Sequence, residues 1–367
     1  MIELAEVVLP GAALDETLSF FGERLGFRIE SITPADSPTV AVLSGYGLRV
    51  RLERDFQGPP GTLRLACADP SALAVRDPAA VTHGQLELEA PNGTRVLLVE
   101  AAPRLVVPPL QPSLVITKIA ETQWSLGRAG MLYRDLIPER QGGRFVASHI
   151  CIPEGGPVPD YVHFHRVRFQ MIYCYKGWVR VVYEDQGPPF VLRAGDCVLQ
   201  PPQIRHRVLE SSPGLEVIEV SCPAEHETLV DHERALPTPE RDRKREYGGQ
   251  RFVHHQLAAA PWGPWRLPGF EARDLGLASA THNLARARVA RRLGITAPQP
   301  AKHEGELMFV FLLAGELTLR CDGQRARPLV SGDCFVIPPG LWHELDQCSE
   351  DIELLELCLP ADLPLSS

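Results

Sequence analysis

The sequence predicts a mainly β protein in which a βαβββ-type α+β domain precedes two copies of one β-barrel domain. Three observations lead to this prediction. Proline and glycine, 34 and 30 of 367 residues, separate short apolar runs, which is typical of turn-rich β proteins. The segment GDCVLQPPQIRH at 195–206 recurs as GDCFVIPPGLWH at 332–343, which indicates an internal repeat. The chain is also longer than one ordinary domain, so we expect two or three.

The first hundred residues indicate a strand, an amphipathic helix and further strands. Leu14, Leu18, Phe21 and Leu25 share one face of the predicted helix. Strands ending in LRVRLE complete a βαβββ unit. A second set of strands lies in TLRLACAD, GQLELEAP and TRVLLVEA, with a proline-containing segment where a second helix would lie.

The helix ends in the stretch FF-x(3)-LGF at residues 20–27. With the βαβββ order, this stretch resembles the glyoxalase/bleomycin-resistance family, also called vicinal oxygen chelate. Members that bind metal place ligands on the first strand and at strand ends, so the resemblance implies Glu6, Glu53 and Glu100 as candidates. Because glutamates at strand ends are usually solvated, we favour a metal-free packing domain over residues 1–103.

Two copies of one β domain follow a proline-rich linker at residues 103–112. We place the first copy at 113–235 and the second at 251–362, and we interpret the polar segment between them as a solvated connector. Further matching pairs are RDL at 134–136 and 273–275, and YKGWVRV at 175–181 and LAGELTL at 313–319.

Four residues of the first copy carry the chemistry that we expect. His163 and His165 stand two apart on a predicted strand, so they point to the same face. Gln170 follows after a short turn, and His206 arrives from a distant hairpin. Imidazoles that converge from separate strands in an apolar interior form a typical site for a borderline divalent metal.

The glycine-bounded segments at 156–177 and 195–206 resemble the two sequence motifs of the cupin superfamily. A cupin is a small antiparallel barrel, so the resemblance implies two cupin double-stranded β-helix barrels in tandem, a bicupin. It also implies that His163, His165, Gln170 and His206 are the metal ligands of the first barrel.

Gln170 stands where the commonest cupin pattern has glutamate. A neutral amide leaves the full 2+ charge on the metal, which favours an anionic substrate as the next ligand. Gln170 therefore has two alternative roles, as a metal ligand or as a residue that orients substrate. We expect a divalent metal with Fe(II) favoured, and Mn, Ni and Zn are alternatives because the ligand types do not separate them.

The second copy keeps two of the four ligand positions, as His303 and His343. Ala301 and Met308 replace the other two. We favour a structural second barrel. The alternative is a second metal site formed by His303, His343 and the nearby Glu306.

Polar and aromatic side chains near the motifs are candidates for the substrate cavity. Arg205 lies next to a ligand and is the natural anchor for a substrate carboxylate if its turn points inward. Tyr161 and Gln170 are the other catalytic candidates. Further candidates for the cavity wall are His149, Arg144 and Tyr173.

A metal held by three neutral protein ligands keeps open coordination positions, which can take an enolate, catecholate or thiolate substrate and dioxygen. Gentisate and quercetin dioxygenases are two-barrel cupins, so the resemblance implies a metal-dependent dioxygenase acting on a small anionic aromatic, enol or thiol substrate. The same ligand set also supports a Lewis acid in isomerisation, epimerisation or lyase chemistry. A third alternative is a non-catalytic cupin that binds a small ligand.

The composition excludes other classes of partner. A net charge of −9 without a basic face argues against nucleic acid, and no run approaches the roughly 20 apolar residues of a membrane span. With no basic region ahead of an apolar segment, we expect a cytoplasmic protein with a small-molecule substrate.

The nine cysteines lie mostly in apolar runs and predict buried free thiols. Exposed strand edges suggest a homodimer.

Overall fold

The computed structural model describes residues 1–70, 81–82, 85–294 and 298–366. The chain divides into two compact units, Met1–Arg104 and Leu105–Ser367. No helix of the described residues is long and apolar enough to cross a bilayer. All nine cysteines are free thiols, and seven of them are buried, as the sequence predicted.

The first unit contains two four-stranded sheets. Helix α1, Leu14–Ser19, continues as a π-helix over Phe20–Arg24. The strands are β1 Val7–Pro10, β2 Arg28–Thr33, β3 Val40–Gly45, β4 Leu48–Glu53, β5 Thr62–Cys67, β6 Val81–Thr82, β7 Gln85–Glu89 and β8 Arg95–Glu100. The sheet orders are β1-β4-β3-β2 and β5-β8-β7-β6, and both begin with a parallel pair. The segment in which a second helix would lie, between β5 and β7, falls largely outside the described residues.

The first half of the second unit runs from β9 to β23. It contains the short helix α2, Arg140–Gly143, and two single 3₁₀ turns, Ile119–Glu121 and Arg128–Gly130. The strands are β9 Val115–Thr117, β10 Ser125–Leu126, β11 Leu132–Asp135, β12 Val146–Ile152, β13 Gly156–Pro157, β14 His163–His165, β15 Phe169–Lys176, β16 Trp178–Tyr183, β17 Phe190–Arg193, β18 Cys197–Leu199, β19 His206–Ser211, β20 Leu215–Cys222, β21 Thr228–Val230, β22 Glu246–Tyr247 and β23 Gln250–Arg251.

The second half repeats this order, and most of its strands have the length of their counterparts in the first half. It contains α3, Leu277–Ala280, and a 3₁₀ turn at Leu257–Ala259. The strands are β24 Val253–His255, β25 Gly263–Pro264, β26 Phe270–Asp274, β27 Arg286–Arg292, β28 Lys302–His303, β29 Leu307–Ala314, β30 Glu316–Cys321, β31 Arg327–Val330, β32 Cys334–Val336, β33 His343–Asp346, β34 Glu353–Leu359 and β35 Leu365–Ser366.

Each half folds into a barrel built on a seven-stranded sheet, and the two halves exchange one strand. The large sheet of barrel 1 has the order β10-β11-β12-β20-β15-β18-β24, and that of barrel 2 the order β25-β26-β27-β34-β29-β32-β9. Strand β9 therefore leads barrel 1 in sequence but pairs in barrel 2, and β24 does the reverse. A six-stranded sheet closes barrel 1, whereas small sheets of three and two strands close barrel 2.

The two large sheets pack through one apolar core. Met171 and Ile218 of barrel 1 and Phe309 and Leu357 of barrel 2 lie in this shared core and are fully buried. Because side chains alternate along a strand, the next residues face the barrel interiors. Strand β15 therefore directs Gln170, Ile172 and Cys174 inward, as the sequence predicted, and the interior of barrel 1 remains available for a site.

Candidate metal centre

Three histidines meet inside barrel 1. Strand β14 carries His163 and His165 on one face, and the register of the sheet pairs His163 directly with His206 on β19. The ring centroids of His163 and His206 are 4.3 Å apart, and each lies 5.2 Å from that of His165. One nitrogen of each ring lies within 4.8 Å of one nitrogen of each other ring. The period-two spacing thus produces the expected cluster.

A protein partner orients each of the three rings through Nδ1. His163 Nδ1 donates to the carbonyl oxygen of Tyr161 at 2.9 Å, and His206 Nδ1 donates to that of Ile204 at 3.0 Å. His165 Nδ1 is hydrogen-bonded to the hydroxyl of Thr228 at 3.0 Å. The two carbonyl partners require the proton on Nδ1 and leave Nε2 of His163 and His206 as the acceptor, which is the arrangement of histidines that ligate metal, and the Thr228 hydroxyl is able to accept from Nδ1 of His165 in the same way.

Burial keeps these imidazoles neutral. Desolvation lowers the pKa of His163 and that of His206, the latter well below its usual value. Desolvation, reinforced by His163 and His226, lowers the pKa of His165 to about 3. Neutral imidazole is the form that binds a metal, so the donor set fits a divalent ion of the borderline class.

Gln170 lies beside this cluster in a hydrogen-bonded chain. Its Oε1 accepts a hydrogen bond from Gln200 Nε2 at 3.0 Å, and its Nε2 donates to Glu219 Oε1 at 3.2 Å. Gln200 Oε1 accepts in turn from the hydroxyl of Tyr183. Both polar ends of the Gln170 amide are thus engaged by protein, and Gln170 is absent from the cavity wall.

The histidines lie in the wall of a cavity of about 400 Å³. Most of its wall is apolar, with Ile150, Ile172, Val181, Leu192 and Val217 among the residues that face it. The polar lining residues besides the three histidines are Arg128, Tyr133, Tyr183, Gln200, Glu219, His226 and Thr228.

Glu219 is the carboxylate of this cavity. It lies on β20 opposite Ile172, and desolvation raises its pKa despite the hydrogen bond from Gln170. The sequence carried a signal for it, because alternation from Leu215 and Val217 directs Glu219 inward.

Arg128 and Asp160 flank His163. Arg128 Nη1 donates to Asp160 Oδ1 at 2.8 Å, and Arg128 Nη2 lies 3.3 Å from His163 Nε2. Asp160 is buried, and its Oδ2 accepts from the backbone nitrogen of Val208 at 2.9 Å. Arg128 comes from the 3₁₀ turn between β10 and β11, and no periodic pattern in the sequence marks such a position.

Arg205 and Tyr161 do not line the cavity. Arg205 Nε donates to Asp231 Oδ2 at 3.0 Å, and its guanidinium lies 4.3 Å from the ring centroid of Phe164. Because Phe164 alternates with the two motif histidines, Arg205 packs on the opposite face of β14, away from the cavity. Tyr161 is 42% exposed and its ring lies beside His163, 6.3 Å between centroids.

The remaining three predicted neighbours also lie outside the cavity. Tyr173 is buried in the core between the barrels. His149 bonds Glu216 Oε2 at 2.7 Å on the same large sheet. Arg144 Nε donates to Glu306 Oε1 of the other barrel at 2.7 Å. Sequence proximity to the motifs did not reveal these directions, because neighbouring residues on a strand face opposite sides.

The structure does not bring the alternative second site together. His303 Nε2 donates to the carbonyl oxygen of Ile337 at 2.8 Å, and its Nδ1 accepts from the backbone nitrogen of Gly305 at 3.1 Å. Both ring nitrogens are therefore used by the backbone. Glu306 forms ion pairs with two arginines of barrel 1. Of the three candidate ligands, His343 alone has a ring nitrogen, Nε2, with no hydrogen-bond partner among the described residues.

The three candidate glutamates of the first unit are also separate. Glu6 accepts from Arg49 Nε at 3.0 Å, and Glu53 pairs with Arg51 on its own strand. Glu100 ends β8 and is exposed. Among the described residues, the histidine cluster of barrel 1 is the one group of three or more histidine, cysteine, aspartate or glutamate side chains whose ligand atoms lie close enough together to hold a metal ion.

Comparisons with known proteins agree with the two barrels. The family model described as "Cupin domain" matches residues 148–220 and 294–358, so a cupin domain occurs twice. Both matches end within the last long strand of a barrel, β20 or β34. No curated protein sequence matches this chain significantly.

Solved structures of oxalate decarboxylase from Bacillus subtilis are similar to this chain. One of them, at pH 4.6, has 11% identity and a TM-score of 0.50, covering 73% of this chain and 81% of that one. A mutant and a form studied for its Mn(II) centres each have 12% identity and a TM-score of 0.50, covering 74% of this chain and 82% of theirs. At this identity the likeness shows a shared fold, a mainly β protein with two cupin-type barrels.

Proposed function

We propose that barrel 1 holds one divalent metal on His163, His165 and His206 and that the protein is a metal-dependent enzyme acting on a small anionic molecule. One observation carries this proposal, the convergence of three neutral imidazoles, each fixed through Nδ1, in the wall of a largely apolar cavity. A second observation supports a single centre, because both ring nitrogens of His303 are bound by backbone groups.

The size and polarity of the cavity favour a substrate with an apolar body. A volume of about 400 Å³ holds a small organic molecule, and aliphatic side chains form most of the wall. An all-polar dianion of a few atoms would leave that wall unused. We therefore favour an aromatic or enol substrate with an anionic oxygen, and a dioxygenase as the reaction class.

The residues of the chain have separate roles in this proposal. A bound divalent metal supplies Lewis acidity and, for a redox-active ion such as Fe(II) or Mn(II), a site for dioxygen. Gln170 leaves the charge of the metal uncompensated, because its amide is neutral and is hydrogen-bonded to Gln200 and Glu219. The aliphatic wall excludes water from the bound substrate.

The test is metal analysis of protein purified without chelators, followed by oxygen uptake with diphenols, diketones and thiols. The proposal predicts about one divalent ion per chain and oxygen uptake that requires Fe(II) or Mn(II) and an anionic substrate. Protein that holds no metal, or that turns over the same substrates at an equal rate without oxygen, contradicts the dioxygenase.

A second candidate function is non-redox isomerase, epimerase or lyase chemistry. The observation that favours it is Glu219, a half-buried carboxylate whose pKa desolvation raises, in the wall of the same cavity as the histidines. A carboxylate in this position is placed to exchange a proton with a bound substrate. Turnover with Zn(II) under anaerobic conditions, lost in Glu219→Gln, is the expected result for this function.

For the rest of the chain we propose the domain boundaries 1–103, 113–235 and 251–362, with a glyoxalase-like first domain. The support is the repeated strand order of its two sheets, each with one parallel outer pair. The ion pairs of Glu6 and Glu53 favour a packing role over a metal site. Expression of residues 1–103 alone as a soluble, cooperatively unfolding domain would test the first boundary.

A further inference from the structure

Arg128 is the one arginine or lysine among the described residues that line the cavity. It begins the 3₁₀ turn Arg128–Gly130, in which Ala129 and Gly130 both have left-handed backbone conformations. Hydrogen bonds from Gly127 N to Met131 O, at 2.8 Å, and from Met131 N to Arg128 O, at 3.1 Å, close this turn. The local backbone therefore holds Arg128 at the cavity wall.

Asp160 fixes the guanidinium in one orientation. The Asp160 carboxylate is fully buried at the side chain and is itself held by the backbone nitrogen of Val208. It accepts from Arg128 Nη1, so Nη2 is directed toward His163 Nε2. One donor of Arg128 is thus anchored, and another points to the atom that we assign to the metal.

Metal binding changes the partner of that second donor. His163 Nδ1 is committed to the carbonyl oxygen of Tyr161, so Nε2 carries the lone pair that Arg128 Nη2 approaches. A metal on Nε2 uses this lone pair, which leaves Nη2 beside the metal with a proton to donate. A guanidinium donor next to an uncompensated cation favours an anionic oxygen.

We propose that Arg128 binds the carboxylate of the substrate and thereby makes the enzyme selective for acids with an apolar body and a second, metal-binding oxygen. This inference rests on the proposed function. Asp160 occupies Nη1, so the contact from Nη2 is a single charge-assisted hydrogen bond. Arg128 takes the role that the sequence suggested for Arg205, which is held by Asp231 outside the cavity.

Barrel 2 contains an arginine in the corresponding place, and it is used differently. Arg128 stands six residues before Arg134 of the first RDL segment, and Arg266 stands seven before Arg273 of the second. Arg266 donates from both Nε and Nη2 to Glu356 Oε2, at 3.0 and 2.7 Å. The carboxylate that Arg266 binds is part of the protein, whereas Arg128 keeps one donor for a ligand.

The test measures binding of mandelate and of its neutral analogue methyl mandelate to Zn(II)-loaded protein by titration calorimetry. Both probes have an apolar ring and a hydroxyl, and they differ in the carboxylate. We expect wild type to prefer mandelate by about tenfold or more. Arg128→Gln should remove most of that preference while binding Zn(II) with unchanged stoichiometry, and Arg128→Lys should keep part of it.

Arg180→Gln is the matched control, because Arg180 pairs with Glu210 on the outer side of β16 and is half exposed. It should leave both affinities unchanged. A preference for mandelate that persists undiminished in Arg128→Gln overturns the inference, as does a metal-loaded wild type that binds the two probes equally. Wild type that takes up no Zn(II) overturns the proposed function itself, so the two failures are distinguishable.

Discussion

The two barrels share a fold but use their interiors in different ways. Barrel 1 keeps a cavity of about 400 Å³ with three histidines in its wall. The interior of barrel 2 contains an apolar cluster that includes Met308, Val310, Trp265 and Phe335, and its smaller cavity, about 270 Å³ beside Met308 and Glu356, has no histidine among the described residues of its wall. Met308 stands where barrel 1 has Gln170, so an apolar thioether replaces the hydrogen-bonded amide at this position. A duplicated barrel can thus keep one site and convert the other copy into a packed core.

Two equivalent glutamates show the same contrast. Glu219 on β20 and Glu356 on β34 occupy the same register position, opposite Ile172 and Val310. Glu356 is neutralised by Arg266 and also accepts from Trp265 Nε1 at 3.3 Å. Glu219 has an amide as its hydrogen-bonding neighbour and faces the cavity. A carboxylate in a buried ion pair is committed to its partner and is costly to uncouple from it, whereas one without such a pair is available to a ligand.

The largest expected effect separates the histidines of the two barrels. His163→Ala removes a ligand and should lower metal affinity more than about 100-fold, because losing even an outer partner of a ligand costs roughly 10- to 100-fold. His303→Ala should leave the metal content unchanged and lower the free energy of unfolding by about 1–3 kcal/mol, since it leaves buried backbone groups unpaired. Elemental analysis and urea unfolding measure the two effects. Loss of metal in His303→Ala would contradict the assignment of His303 as a structural residue.

The two glutamates should differ in the sign of their effect on stability. Glu356→Gln should lower the free energy of unfolding by about 3 kcal/mol, because Arg266 is left buried without its counter-charge. Glu219→Gln should be neutral or slightly stabilising at pH 7, because it removes the cost of a partly desolvated carboxylate. Urea unfolding of the metal-free variants tests this pair. Equal losses in both would show that Glu219 is also a structural residue.

The Gln170 position should accept a carboxylate only if Glu219 is changed with it. Gln170→Glu replaces the donor to Glu219 with a second negative charge and should cost about 2 kcal/mol in the metal-free protein. The double variant Gln170→Glu with Glu219→Gln should recover that stability and bind metal more tightly than wild type. Calorimetric metal titration and urea unfolding check both parts. An unchanged free energy of unfolding in Gln170→Glu would contradict the hydrogen bond between Gln170 and Glu219.

A smaller, graded effect is expected from pH. Below about pH 6.5 the unfolded chain protonates its histidines, whereas burial keeps the folded pKa of His165 about 3 and lowers those of His163 and His206. The unfolded state then binds more protons, so the metal-free protein should lose stability as pH falls from about 6.5 toward 3. His343, with its pKa lowered to about 4, acts in the same direction from barrel 2.

The same shifts affect the bound metal. Imidazoles with the ordinary histidine pKa would release metal near pH 6. Because protons compete for the folded site only at lower pH, metal should be retained at pH 6 and lost closer to pH 4. Metal content after dialysis across pH 7 to 4 measures this. Full release at pH 6 would mean that the site is open to water.

Sequence reasoning reached the features that depend on short periods. Two-residue spacing brought His163 and His165 to one face, and the repeat predicted two barrels. It did not reach features set by tertiary structure. Strand exchange by β9 and β24 leaves no local pattern, since each strand has ordinary propensity whichever barrel it joins.

The residues expected at the cavity also divide into those that strand alternation predicts and those that depend on tertiary structure. Glu219 was accessible from alternation, but it lies far from either motif in sequence. Arg128 comes from a turn whose direction depends on Asp160, 32 residues later. Arg205 adjoins His206 and is an anchor for the substrate only if its turn points inward, yet its guanidinium packs on Phe164, on the opposite face of β14 from the motif histidines. Proximity along the chain is thus a poor guide to a barrel interior.

The most direct test of the central claim, one metal centre in barrel 1 alone, is anomalous X-ray scattering from crystals grown with Mn(II). The account predicts a single strong peak per chain, bonded to Nε2 of His163, His165 and His206 at a typical metal–nitrogen distance. A peak in barrel 2 beside His343, or a barrel 1 site without density at saturating Mn(II), would contradict it.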